Sequence, residues 1–162
     1  MTHLIHRVFV FAFLAASILV ACRPGSGPEL PLSPPQGLEV SWFHDDCGPA
    51  DGPALTVYLG QAIPDTAFEA GYPHLRVTIC SDRTRLREGE SVEIRAPAPG
   101  GQGDARYCLS ESNCRSVTGG SILFSRLEPN LLEGGVEVLF TGGEPIRGMF
   151  SAPRLTFQPL CG

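Results

Sequence analysis

Residues 44–52, HDDCGPADG, hold the densest set of metal-ligating side chains in the chain. His44, Asp45, Asp46 and Asp51 carry the imidazole and carboxylate donors that bind Zn²⁺ or Ca²⁺. Their spacing does not match an EF-hand, whose donors alternate along the loop. Asp, Gly and Pro are also what a tight turn demands, so a turn is the expectation here. A metal-dependent binding module or hydrolase centred on these residues is the alternative. Nucleophilic chemistry finds less. TGGSI, at 118–122, lacks the closing glycine of a serine elbow and reads as a strand bend. A Cys–His pair would join Cys80 to His74, six residues earlier; His44 and His74 otherwise read as surface or strand-edge side chains. Arg83, Arg85 and Arg87 in SDRTRLREGE offer guanidinium forks for phosphate or carboxylate. Asp82, Glu88 and Glu90 neutralise that run, so it reads as a solvated loop. Trp42 reads as core rather than as a sugar-stacking platform. No glycine-rich loop leads from a strand into a helix, so no nucleotide cofactor is expected. No catalytic residue and no cofactor is assigned.

The totals narrow the class of partner. The chain has 162 residues and a net charge of −5, and all twelve of its basic residues are Arg. Mild acidity argues against nucleic acid, because phosphate neutralisation needs a basic face. With 19 Gly and 15 Pro, long helices are disfavoured, while 43% hydrophobic residues suffice for one core.

The first segment reads as an export signal. Arg7 precedes an apolar run from Val8 to Val20, interrupted only by Ser17. As a helix that run rises roughly 20 Å, short of a ~30 Å hydrocarbon core, which suits a signal peptide rather than a membrane span. It ends in Leu19-Val20-Ala21-Cys22. That tetrad resembles the lipobox of bacterial lipoproteins. The resemblance implies cleavage of 1–21, a diacylglyceryl thioether on Cys22 and acylation (palmitate) of the new amino terminus. Two or three acyl chains anchor firmly where one would not. Arg23, rather than Asp, follows the Cys; in Gram-negative lipoproteins this leans toward the outer membrane. The expected place is the cell envelope, with the membrane as one partner and an envelope protein or polymer as another.

Export implies an oxidising compartment and therefore disulfides. Besides Cys22 there are Cys47, Cys80, Cys108, Cys114 and Cys161, an odd number that leaves one thiol over. Cys108 and Cys114 flank a short polar turn, LSESN, so a bridge there staples a hairpin. Cys47–Cys161 would clamp the first strand of the body to the chain end, leaving Cys80 free. Cys47–Cys80 with Cys161 free is the rival pairing.

These residues need elements to position them. Residues 22–37 are the lipidated Cys and a tether; five prolines lie between Arg23 and Gly37, a composition that stays extended and reaches roughly 45 Å. From 38 to 162 the chain alternates apolar and polar residues. Leu38, Val40 and Trp42 form one expected core face; Leu55, Val57 and Leu59 the next. Leu75, Val77 and Ile79 follow, with Cys80 off that face at the strand end. Val92, Ile94 and Ala96; Ala105, Tyr107 and Leu109; Val136, Val138 and Phe140; and Ile146, Gly148, Phe150 and Ala152 complete the set. Helix signal is nearly absent: one or two helical turns are expected over 65–71, with Asp65 or Thr66 as cap and Gly71 as stop, and another short one in LEPNLLEGG. The last hairpin, with Gly148, Phe150 and Ala152, is reminiscent of that in small envelope lipoproteins. The fold expected is all-β: one antiparallel β-sandwich or small barrel of about 7–9 strands.

Overall fold

The computed structural model describes residues 33–48, 52–63, 70–95 and 102–156. The strands are β1 (Val40–Cys47), β2 (Pro53–Gly60), β3 (His74–Ile79), β4 (Ser91–Arg95), β5 (Gly103–Ser110), β6 (Asn113–Ser116), β7 (Gly119–Glu128), β8 (Leu131–Leu139) and β9 (Ile146–Pro153). The described residues contain no α-helix, only a 3-10 turn at Arg83–Arg85. One sheet runs β1-β2-β3-β5-β4-β7-β8-β9, with β6 beside β5. It curls into a nearly closed barrel of mixed orientation. The departure from a wholly antiparallel sheet is local: Ile94 of β4 pairs parallel with Gly103 of β5, and β1 meets β9 in parallel at Phe43 and Arg154.

Hydrogen bonds close the sheet on the β1–β9 side. Leu155 N donates to Phe43 O at 2.8 Å. Ser41 Oγ donates to Ser151 O at 2.8 Å. Higher up, Met149 N donates to Ser33 O at 3.0 Å. Ser33–Gly37, expected to be part of a loose tether, therefore belongs to the folded body. Pro35 is buried there, and a side chain on Gly148 would come within 2.5 Å of its ring. The absence of a Cβ at 148 is what lets the proline seat on β9. The expected signal peptide, Cys22 and the rest of the tether lie outside the described residues, as does most of the turn expected over 65–71.

The interior is filled by one alternate face of every strand but β6, whose four residues are all exposed. Leu55, Val57, Leu59, Leu75, Val77, Ile79, Ile94, Ile122, Phe124, Val136 and Val138 are all buried in one cluster. Each such side chain contributes about 1.5–3 kcal/mol of transfer free energy. β1 departs from its expected face: Phe43 enters the core, while Trp42 is buried on the outside of the barrel. Apolar residues stand at both parities in that run, and pairing with β2 selects Phe43. Leu109 also departs. A register shift between Cys108 and Ser110 interrupts β5 and turns Leu109 outward. LEPNLLEGG is not a helical turn but a tight hairpin, in which Glu128 pairs with Leu131. The bend expected at TGGSI is present: Gly120 has φ +146°, and a Cβ there would overlap Glu137 O.

Residues 81–90 are more than a solvated loop. Asp82 accepts a hydrogen bond from Thr84 N at 2.9 Å and caps the 3-10 turn. Leu86 is buried with the core. Arg83 lies over the Phe43 ring, 5.8 Å from its centroid, and donates to Pro129 O at 2.7 Å. The segment thereby stops one end of the barrel. Arg87 is turned onto the carbonyls of Thr84 and Leu86.

Candidate functional site

His44, Asp45 and Asp46 lie in a strand, not in a turn, because β1 pairs with β2 as far as Cys47 and Pro53. Strand alternation then separates the three side chains. Asp45 has the parity of Phe43 and meets the Arg154 guanidinium across the seam. Asp46, on the outer face, accepts from Cys47 N and from Thr56 Oγ1, both at 2.8 Å. Thr56 Oγ1 lies 3.2 Å from Thr78 Oγ1, which extends the network onto β3. The His44 Nδ1 faces Asp45 O at 3.0 Å. Asp51 lies outside the described residues. Among the described residues no three His, Cys, Asp or Glu side chains are grouped so as to hold a metal ion. A cleft of about 240 Å³ beside Asp45, Asp46 and Asp82 also contains Arg83, and its carboxylates already accept hydrogen bonds or an ion pair.

The outer face of β1–β3 carries a row of rings that the alternation of single strands does not reveal. Trp42 stacks on Tyr58 with centroids 5.2 Å apart and planes 1° from parallel. His44 lies 5.7 Å from Tyr58 on the same face, and His74 6.0 Å from it. Tyr72 stacks on His74 at 5.1 Å. The row assembles because Trp42 pairs with Tyr58 across β1–β2, and because β3 brings His74 and Arg76 alongside. Tyr58 and His74 stand at outward positions of their alternating runs, but Trp42 falls on the expected core face, so the row is visible only once the pairing register is known.

Burial pushes the Tyr58 phenol above its ordinary value, against the opposing pull of Arg76. Burial likewise lowers His74, against its hydrogen bond to Gly71 O, with Arg76 adding to the fall. Both groups are thus held neutral near pH 7, which suits stacking and hydrogen bonding rather than proton transfer. Tyr72 is the ring of this row that faces solvent.

The thiols resolve as follows. Cys108 and Cys114 form a disulfide with Cα atoms 4.0 Å apart, stapling the β5–β6 hairpin. Cys47 is also disulfide-bonded, and its expected partner, Cys161, lies outside the described residues. Cys80 is free and exposed, which excludes the Cys47–Cys80 pairing. It lines a cleft of about 250 Å³ with Arg85, Leu86 and Glu90. Partial desolvation against the cleft wall, helped by the negative charge of Asp104, raises its thiol pKa and favours the unreactive protonated form. His74 begins β3 while Cys80 follows its end, about 20 Å away along the strand, so the two do not form a nucleophile–base pair.

No family model matches the chain, and neither a curated protein nor a solved structure is detectably similar to it.

Proposed function

We propose that this chain is a lipid-anchored protein of the bacterial envelope whose barrel has a binding or structural role rather than a catalytic one. The observation that carries the reading is the apolar run from Val8 closing on Leu19-Val20-Ala21-Cys22. Oxidised Cys47, Cys108 and Cys114 are in keeping with an exported protein. The non-catalytic part is supported by the way Asp45, Asp46 and Asp82 bond to neighbouring protein groups. Arg23 after the Cys favours the outer membrane in a Gram-negative cell. An envelope protein or polymer is the class of partner, and nucleic acid is disfavoured by the acidic balance.

Intact-mass analysis of the mature protein tests the anchor. The expected product begins at Cys22 and carries a diacylglyceryl group, and the Cys22→Ser variant retains its leader. A mature wild-type chain that still begins at Met1, or that has an unmodified sulfur at residue 22, would overturn the reading.

A further inference from the structure

Four large hydrophobic side chains stand exposed among the described residues: Ile63 at 48%, Tyr72 at 43%, Leu109 at 41% and Leu139 at 42%. All four belong to one end of the barrel. Ile63 and Tyr72 lie in the connection from β2 to β3, Leu109 is one residue from the end of β5, and Leu139 is the last residue of β8. The connections at the opposite end carry Asp82, Arg83, Arg85, Arg87 and Glu88 instead. The chain also reaches the barrel near the apolar end. Ser33 bonds to the first half of β9, Pro35 seats against Gly148, and Leu38 leads into the start of β1.

We infer that this apolar rim, marked by Ile63, Tyr72, Leu109 and Leu139, is a membrane-contact surface that rests in the interface of a lipid bilayer. The inference rests on the anchoring proposed above for its choice of a lipid occupant. Cys22 lies eleven residues before Ser33, a span of about 34 Å as polyproline II and at most about 40 Å fully extended. A barrel held on so short a lead, with its attachment near the apolar rim, meets the bilayer with that rim first. Tyr72 has the amphipathic ring that membrane interfaces favour, and the three aliphatic side chains gain by leaving water. The Cys108–Cys114 bridge holds the hairpin from which Leu109 projects. Glu111, Arg115 and Glu144 mix both signs around the rim, so the contact does not depend on anionic lipid.

The test uses the mature full chain in phosphatidylcholine vesicles whose acyl chains are brominated. Leu109→Trp and Leu139→Trp report from the rim, and Glu128→Trp reports from the opposite end. The rim tryptophans are expected to be quenched at least about twofold more than the one at 128. A second readout needs no substitution: on adding vesicles, amide exchange slows over 109–112 and 140–145 but not over 82–88. Equal quenching at both ends, or equal protection, overturns the inference. Mass analysis of the same sample separates the two readings. A lipid on Cys22 with equal quenching leaves the anchor standing and removes the rim. Selective rim quenching without that lipid keeps the rim and removes the anchor.

Discussion

At one end of the barrel Leu86 and Arg83 turn inward, Asp82 caps its own turn, and Asp45 meets Arg154. At the other, Ile63, Tyr72, Leu109 and Leu139 turn outward, and the nearby rings of Tyr58 and His74 remain neutral. The charged end thus uses its polar groups to complete the fold, while the apolar end leaves side chains uncovered. Charge density in the sequence points the other way, toward 44–52 and 81–90 as places for chemistry. Asp45, Asp46, Asp82, Arg83, Arg87 and Glu88 engage neighbouring protein groups there, so the end with fewer charges offers the better contact surface.

The comparison can be broken most forcefully at Leu86. If 81–90 were only a solvated loop, Leu86→Ala would cost little. As the stopper of a barrel it should lose about 2–5 kcal/mol, the usual cost of emptying a buried leucine site. Urea unfolding monitored by Trp42 fluorescence measures this, and a loss within experimental error would return the segment to solvent. At the other end, Gly148→Ala forces a Cβ against Pro35, and overpacking of this kind costs about 1–3 kcal/mol. The loss should come with faster exchange of the Met149 amide, whose acceptor is Ser33 O. An unchanged Met149 amide would mean that the entry segment does not close the seam. A smaller effect is expected from Cys108→Ala with Cys114→Ala. Residues six apart close a short loop, for which chain entropy allows at most about 2 kcal/mol. Exchange should quicken over 109–116 and stay constant over 82–88; matching changes at both ends would deny the hairpin its independence.

How much of this was legible depended on how local the determining contacts are. β2, β3 and β4 alternate cleanly, and Leu55, Val57, Leu75, Val77, Val92 and Ile94 fall on the expected face. The Cys108–Cys114 bridge was readable because both residues border one polar turn. In β1 the neighbours Trp42 and Phe43 are both apolar, so parity alone could not choose between them. His44–Cys47 looked like a turn because its residues are turn formers. Pairing with Pro53–Thr56 extends the strand through them, and Arg154 and Thr56 satisfy the carboxylates. Barrel closure and the parallel contacts depend on partners far apart in the chain, Phe43 with Arg154 among them, for which periodicity has no signal. The ring row and the apolar rim share that origin, since each is assembled from several strands.

The subtlest difference between the ends is their response to acid. Burial lowers the folded-state pKa of His74 below its ordinary value, with Arg76 assisting and the Gly71 carbonyl opposing. The unfolded chain therefore binds more protons once the pH falls below about 6.5. The stability contributed by neutral His74 is complete above that point and is lost as the pH falls through the folded value. Asp82 behaves differently, because the Thr84 amide holds its carboxyl below the ordinary range. Its contribution persists above the unfolded carboxylate pKa of about 3.9 and is lost only in stronger acid. Acidifying from about pH 7 to pH 5 should therefore loosen the ring-bearing end first. Amide exchange, corrected for its intrinsic pH dependence, should quicken over Tyr72–Leu75 while 82–88 holds. His74→Phe should abolish the difference, since it keeps a ring against Tyr58 and Tyr72 but removes the titrating group. Persistence of the acid response in that variant would assign it to a group other than His74.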